Sequence, residues 1–185
     1  MRIIGGKWKG RKLSSMVRRS VSHELRPTLD RVRETIFNIL VHRELIKPST
    51  SRVLDLFCGT GAFGFEALSR GANYVCFVDY EKISLKIVKD NVRILGAQNY
   101  TNVVYRDARK LGKNVDDGYD LIFLDPPYAK SLGELALQSS LKGGWLSDQA
   151  TVIWEENVDI SPPEGLVLKE KRMIGNIHLN FLQRE

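Results

Sequence analysis

The chain has 185 residues, of which 43% are hydrophobic and 27% are charged, and its formal net charge is +6. This size and composition suit one globular domain with a small extension, and they exclude a disordered or fibrous chain. No apolar run is long enough to cross a bilayer, and the basic N-terminal stretch lacks the apolar centre of a secretion signal, so we expect a cytoplasmic protein.

The N-terminal end carries the positive charge. Residues 1–33 contain ten Lys or Arg against two acids, while the rest of the chain has a balance of −2. Such a one-signed segment attracts polyanions by releasing their counterions, so nucleic acid is the expected partner; a basic tail that only aids solubility is the alternative. Residues 1–13 predict a hairpin turned at Gly5-Gly6, whose far side alternates cations with Trp8.

A loop and a helix are predicted next. Residues 14–25 are polar and basic without periodicity, which indicates a loop. Pro27-Thr28 opens the predicted helix. Its apolar positions fall on one stripe, which consists of Val32, Ile36, Phe37, Ile39 and Leu40. Pro48 ends this region, so we take residues 1–48 as a basic extension and residues 49–185 as the main domain.

Short apolar runs alternate with helical stretches beyond residue 50. The runs read as strands buried on both faces, at residues 53–57, 74–78, 103–105, 121–124 and 152–154. Helical periodicity covers residues 62–70, 81–95 and 131–141. This alternation predicts an α/β fold with a doubly wound, mostly parallel sheet. Residues 167–173 and 177–182 are separated by a hairpin-like spacing, so we expect the sheet to end in an antiparallel edge pair.

The two cysteines indicate neither a disulfide framework nor a zinc site. Cys58 and Cys76 are too few for such a framework, and neither has the paired spacing with histidine that zinc sites show. We expect both to be small buried side chains and no metal to be bound. We also expect a monomer, because the sequence shows no surplus of apolar surface residues.

A glycine-rich turn follows the first predicted strand. Gly59 and Gly61 allow the backbone to approach a ligand closely, and the next helix offers free N–H groups. Asp55 lies inside the strand before this turn, and Asp79 ends the next strand, where it is suited to hold ribose hydroxyls. A carboxylate beside the turn would repel a pyrophosphate, whereas S-adenosylmethionine has no phosphate and carries an ammonium and a sulfonium. The turn therefore favours S-adenosylmethionine over NAD.

A third acid extends the predicted cofactor site. Asp107 follows the third strand, where it is placed to accept a hydrogen bond from the adenine amine, and Ala108 offers a backbone N–H. Each acid alone also fits an ordinary strand-end cap, but the ordered set favours a cofactor site. The predicted cofactor-binding residues are Asp55, Phe57, Cys58, Gly59, Thr60, Gly61, Asp79, Tyr80, Asp107, Ala108 and Asp125.

The tetrad Asp125-Pro126-Pro127-Tyr128 follows the fourth predicted strand. Two prolines fix the backbone where a parallel sheet places its ligand crevice. If Asp125 and the Pro126 carbonyl accept both N–H bonds of an exocyclic base amine, they localise its lone pair and stabilise the charge that grows there during methyl transfer. Tyr128 is suited to stack on an extracted base. The tetrad therefore predicts the catalytic residues, with a proline turn and a packing tyrosine as the alternative.

The tetrad behind the glycine turn resembles the amino-methyltransferases that act on adenine, cytosine or guanine amines. Three further segments narrow the resemblance, namely residues 2–13 (RIIGGKWKGRKL), 26–38 (RPTLDRVRETIFN) and 66–72 (EALSRGA). Together they are similar to the bacterial 16S ribosomal RNA guanine-N2 methyltransferase (RsmD) family. That resemblance implies a seven-stranded, Rossmann-like class I methyltransferase fold and N2-methylation of one guanine in assembled or partly assembled small ribosomal subunits.

The resemblance also assigns roles to the extension. The helix over residues 28–40 would lie over the methionine half of the cofactor, and the hairpin around Trp8 would contact RNA. The residues expected to bind RNA are Arg2, Lys7, Trp8, Lys9, Arg11, Lys12, Arg26 and Arg31.

Three other functions fit parts of the sequence. The tetrad also serves adenine-N6 and cytosine-N4 methyltransferases, although those acting on DNA usually add a base-reading domain. A non-catalytic ribosome-assembly factor could retain the cofactor fold, but the intact tetrad disfavours it. Asp55 and the absence of a hydride-transfer partner disfavour a dehydrogenase.

Overall fold

A computed structural model gives the structure of residues 1–15, 25–47, 49–127 and 131–185, with only the backbone described for residues 25–29. The helices of this part are α1 (Leu25–His42), α2 (Ala62–Ser69), α3 (Lys82–Leu95) and α4 (Leu132–Lys142), with three short 3₁₀ turns between elements. The strands are β1 (Arg52–Leu56), β2 (Tyr74–Asp79), β3 (Thr101–Tyr105), β4 (Tyr119–Leu124), β5 (Leu146–Glu156), β6 (Leu166–Ile174) and β7 (Ile177–Arg184).

The seven strands form one sheet in the order β3-β2-β1-β4-β5-β7-β6. Strands β1 to β5 run parallel, while β7 is antiparallel to both β5 and β6. This arrangement confirms the predicted Rossmann-like sheet with an antiparallel edge hairpin. The strand order reverses between β1 and β4, and in such sheets a ligand crevice opens at the carboxyl ends of the strands beside the reversal.

Two apolar layers cover the sheet. On one face, α1, α2 and α3 pack through residues such as Phe37, Phe65 and Leu85. On the other face, α4 and the segment after β3 pack through residues such as Ala136 and Leu111. The sheet is therefore covered on both faces, as the near-continuous apolar character of its central strands requires.

Strand β3 departs from its prediction. The expectation that residues 103–105 are buried on both faces is wrong, because Tyr105 is exposed and Val103 and Val104 are only partly buried. The reason is the position of β3 at the edge of the sheet, where it has a neighbouring strand on one side only. Both cysteines are buried as predicted, Cys58 at 7% and Cys76 at 1% exposure.

Residues 1–15, here called the N-terminal strap, contain one bridge and a short helix in place of the ribbon-like hairpin that the sequence indicated. Arg2 pairs with Lys12 in an isolated antiparallel bridge, and Gly6–Trp8 forms a 3₁₀ helix between them. Ile3 and Leu13 are buried in the same apolar cluster as α1 and α2. The strap is thus packed into the fold rather than extended from it.

Helix α1 begins at Leu25, two residues before the predicted start, and Pro27 lies in its first turn, where a backbone N–H is not needed. Of the predicted loop over residues 14–25, residues 16–24 lie outside the described residues. Among the described helices, none is long and apolar enough to pass through a membrane.

Candidate active site

The glycine-rich turn between β1 and α2 forms the floor of the crevice. The Cys58 N–H donates to the Val78 carbonyl of β2 (3.1 Å), and the Gly61 N–H donates to the Cys58 carbonyl (2.7 Å). Gly61 has φ +78°, and a Cβ there would meet the Phe65 ring at 2.6 Å. At Gly59, by contrast, no atom lies nearer than 4.0 Å to where a Cβ would be. The turn therefore packs tightly at Gly61 and leaves open space beside Gly59.

Phe57 adds strain at the start of this turn. Its φ of +56° lies in the left-handed region that side chains other than glycine rarely adopt. Such conformations persist where the surrounding structure enforces them, and they cluster at functional sites. The strain supports the assignment of this turn to ligand binding.

Asp79 holds the turn from the carboxyl end of β2. One of its oxygens accepts the Gly59 N–H (2.9 Å) and the other accepts the Glu81 N–H (2.8 Å). A carboxylate offers about four acceptor positions, so these bonds leave it able to accept from ribose hydroxyls as well. Tyr80 follows with 51% of its surface exposed, which is suited to a flat apolar ligand.

Asp55 lies beneath the turn and is only 3% exposed. Its Oδ2 accepts the Gly64 N–H at 2.9 Å. Burial raises the pKa of Asp55 well above its ordinary value, and the nearby carboxylates of Asp125 and Asp79 add to that rise. Three acids are therefore within electrostatic range of one another at this edge, which favours a cationic ligand.

Asp107 is already engaged by a neighbouring cation. Its carboxylate accepts bonds from the backbone N–H and the guanidinium of Arg109, with the shortest at 2.7 Å. These hydrogen bonds lower the pKa of Asp107, so it is a stable anion at the carboxyl end of β3. Ala108 beside it is buried. The sequence did not indicate this ion pair. Because of it, Arg109 already binds the Asp107 carboxylate, which was predicted to accept a hydrogen bond from the adenine amine.

Asp125 follows β4 directly, with Pro126 buried and Pro127 exposed. Although Asp125 is exposed as a residue, protein atoms crowd its carboxyl group. This desolvation, together with the nearby carboxylates of Glu155 and Glu156, raises the pKa of Asp125 to about 8. Tyr128, the last residue of the predicted tetrad, lies outside the described residues.

The sequence interpretation missed Glu155 and Glu156. Both are only 6% exposed, and they end β5 beside the end of β4, because Leu124 pairs with Trp154 in the parallel register. The Asn157 N–H donates to Oε1 of Glu156 (3.0 Å). Two consecutive acids at the end of an apolar strand were a usable signal for an acidic wall next to Asp125.

Aromatic contacts place α1 against this crevice. The ring of Phe63, just after the glycine-rich turn, stacks on Phe123 of β4 at 5.0 Å, and Phe37 of α1 lies 5.5 Å from Phe123. Phe123 is two residues before Asp125. Helix α1 therefore adjoins both the turn and the end of β4.

Comparisons with known proteins agree with this arrangement. A family model described as conserved hypothetical protein 95 matches residues 1–183. The chain belongs to this family. The Ribosomal RNA small subunit methyltransferase D of Haemophilus influenzae is 36% identical over 180 residues, covering 92% of this chain and 88% of the relative. The protein of that name from Escherichia coli K12 is 34% identical over 189 residues, covering 100% and 90%.

Solved structures agree in shape over the whole chain. One, described as a putative methyltransferase yhhF from Escherichia coli, has a TM-score of 0.81 and 32% identity, and the match covers 100% of this chain and 98% of that one. A putative methylase HI0767 from Haemophilus influenzae has a TM-score of 0.80 and 31% identity, with 99% and 97% covered.

In this member of the conserved hypothetical protein 95 family, the strap lies along α2 and α3. At one end the Thr60 hydroxyl contacts Met1 Sδ (3.4 Å), beside the glycine-rich turn. At the other end the Trp8 N–H donates to Ser69 Oγ (3.0 Å), and Lys7 Nζ lies 4.2 Å from the Trp8 ring centroid. These ends are separated by the eight residues of α2, or about 12 Å.

The predicted RNA-binding residues therefore do not form one cluster. Arg2 and Lys12 are exposed near the crevice end of the strap, whereas Lys7, Trp8 and Lys9 lie around its turn at the far end of α2. Arg11 and Arg31 are exposed too. Nothing is described of the Arg26 side chain.

Proposed function

We propose that this protein transfers a methyl group from S-adenosylmethionine to the N2 amine of a guanine in small-subunit ribosomal RNA. The observation that carries the proposal is the position of Asp125 and Pro126, at the end of β4 beside the glycine-rich turn and the acids of β5. We place the reaction in the cytoplasm, on assembled or partly assembled small subunits, with the enzyme acting as a monomer.

The relatives support methylation of ribosomal RNA. Two of them carry that activity in their names, and their matches cover 92% and 100% of this chain. The solved structures that match over the full length are likewise described as a methyltransferase and a methylase.

The residues of the crevice fit S-adenosylmethionine, which supplies a methyl group from a positively charged sulfur. Asp79 lies at this edge, and a bound sulfonium and ammonium would favour the ionised forms of Asp55 and Asp125, whose pKa values are raised in the free protein. The open space beside Gly59 admits the ligand, and Asp79 is placed for the ribose. Asp107 is placed for the adenine amine, at the cost of sharing its oxygens with Arg109.

The acidic wall favours guanine over the other two amino bases. The Watson–Crick edge of guanine presents two neighbouring donors, N1–H and the N2 amine, which carboxylates accept. Adenine N1 and cytosine N3 are acceptors, which buried carboxylates would repel. Glu155 and Glu156, together with Asp125 once it is ionised, therefore match the donor pattern of guanine.

We assign Asp125 the role of acceptor for the target amine. Its ionised carboxylate and the Pro126 carbonyl accept the two N–H bonds, and they stabilise the positive charge that develops on nitrogen as the new C–N bond forms. The rigid proline pair keeps both acceptors aligned with the incoming methyl group. Tyr128 would stack on the target base.

The test compares wild-type protein with Asp125→Asn, which keeps the shape of the side chain. The substrate is small ribosomal subunits from a strain that lacks this modification, with labelled methyl donor. We expect Asp125→Asn to lower kcat by about 100-fold or more while the dissociation constant for S-adenosylhomocysteine changes little. Asp148→Asn, at a side chain 98% exposed, is the matched control and should retain full activity.

Nucleoside mass spectrometry of the product separates the rival functions. N2-methylguanosine supports the proposal. Methylated adenosine or cytidine would reject the guanine assignment and leave an amino-methyltransferase of another base. If no ribosomal or other nucleic acid accepts a methyl group, a non-catalytic assembly factor is the better description.

A further inference from the structure

A second basic surface lies on the α4 face of the sheet, opposite to the strap. It is a groove between α4 and the segment that follows β3, and it encloses about 680 Å³. The charged residues that line it are all cations, namely Arg109, Lys113 and Lys142. A groove with cationic walls is suited to hold an anion.

Two of these cations are uncommitted. Arg109 is paired with Asp107, but within the described residues no carboxylate lies in ion-pair distance of Lys113 or Lys142. Lys142 is in the last turn of α4, where a cation also favours the helix dipole. That role does not extend to Lys113, which lies on a separate segment of the chain and faces the same groove.

The walls of the groove are fixed in place. The Leu111 N–H donates to Ser139 Oγ of α4 (2.8 Å), and the Trp145 Nε1–H donates to the Gly112 carbonyl (2.9 Å). The walls approach so closely that a Cβ on Gly143 would lie 2.2 Å from the Gly112 oxygen. The groove is therefore preformed, which reduces the entropy that a ligand must give up on binding.

The position of the groove connects it with the crevice. Arg109 lies at the end of the groove nearest the crevice, where it is bound to Asp107 at the carboxyl end of β3. From there the lining of α4 runs from Leu135 to Lys142, or about 10 Å of helix. That length spans about three steps of a B-form duplex axis, on which one strand carries a phosphate about every 3.4 Å.

We propose that this groove binds the phosphate backbone of the RNA strand next to the target guanine, with Lys113 and Lys142 each neutralising a phosphate. The inference rests on the proposed function, because it assumes an RNA substrate at the adjoining crevice. Each neutralised phosphate releases counterions, so both contacts contribute to the salt dependence of RNA binding.

The test is the double substitution Lys113→Gln and Lys142→Gln, measured for binding to unmodified small ribosomal subunits between about 50 and 200 mM salt. The loss of two phosphate contacts to a single strand should make the slope of log K against log salt shallower by about 1.4 and weaken binding at low salt about tenfold. Lys113→Arg with Lys142→Arg keeps both charges and should retain the wild-type slope.

The matched control is Lys47→Gln with Lys169→Gln, which removes two exposed cations that lie away from both the strap and the groove, one before β1 and one in the edge strand β6. An equal change in the control, or a wild-type slope in the groove variant, would overturn the groove assignment. Affinity for S-adenosylhomocysteine should stay unchanged in every variant, which excludes damage to the crevice. A wild-type protein that methylates no RNA would instead contradict the proposed function itself.

Discussion

At the scale of single residues, the ionisation of Asp125 controls the proposed reaction. Its pKa of about 8 means that the carboxyl group is mostly protonated at pH 7 in the free protein. Only the ionised form can accept both amine hydrogen bonds together with the Pro126 carbonyl. We therefore expect kcat/KM for S-adenosylmethionine to rise with pH, nearly tenfold per unit below pH 8, and to level off above it.

A neighbouring substitution tests the cause of that profile. Glu156→Gln removes one negative charge near Asp125, so the midpoint of the pH profile should move to lower pH even if the maximal rate falls. A profile that is flat between pH 6.5 and 9 would contradict the assignment of Asp125 as the titrating group.

The sequence predicts the residues of the crevice better than it predicts their partners. Gly59, Asp79 and Asp125 are recognisable because each follows a strand of a parallel sheet, and such strand ends meet at one edge. The pairing of Asp107 with Arg109 depends on side-chain geometry that the sequence pattern does not contain. Glu155 was missed because the acids that end β5 gain meaning only when β5 is known to lie beside β4.

At the scale of elements, Glu66 connects the strap, α1 and α2. It is fully buried and accepts the N–H groups of Ile4 and Gly5, each at 2.8 Å. The Arg70 Nε–H donates to it at 2.9 Å, and Arg33 Nε lies 3.9 Å away. One buried carboxylate therefore stabilises the attachment of the N-terminal segment to α2.

We predict that Glu66→Gln lowers the free energy of unfolding by about 3 kcal/mol, because it leaves two arginines beside a neutral amide. Urea denaturation measures the loss. Glu164→Gln at an exposed position should change stability by no more than about 0.5 kcal/mol. Hydrogen exchange at Ile4 and Gly5 should become faster in Glu66→Gln, and unchanged protection there would argue against this role for the carboxylate.

Element types were predictable, but exposure and attachment were not. Periodicity placed the other strands and the helices of the main domain within two residues of their observed bounds, but it found only residues 152–154 of β5, which spans Leu146–Glu156; the short spacing after Met173 identified the edge hairpin. The same periodicity could not show that β3 is an edge strand, because strand order is a property of the assembled sheet. It also gave no sign that Glu66 fixes the strap, since its partners are about sixty residues away in the chain.

At the scale of the whole molecule, charge is distributed differently in space than along the chain. The sequence assigns the basic surface to residues 1–33, because the remainder has a balance of −2. Folding nevertheless brings Lys113 and Lys142 into one groove, while acids such as Asp55 and Glu155 gather in the crevice. The net charge of the chain does not reveal this separation. Cationic surfaces lie on both faces of the sheet, and the acids of the crevice lie between them.

Two separate basic surfaces should contribute independently to RNA binding. Substituting Lys7, Lys9 and Arg11 of the strap with Gln should make the slope of log K against log salt shallower. Adding Lys113→Gln and Lys142→Gln should make that slope shallower again, by the amount that the groove variant alone produces. The two effects should add because the two sites are distant from each other. Binding to small ribosomal subunits across a salt series measures the contribution of the strap and that of the groove. A combined variant that is no weaker than the strap variant would mean that the RNA follows the α2–α3 face alone and never reaches α4.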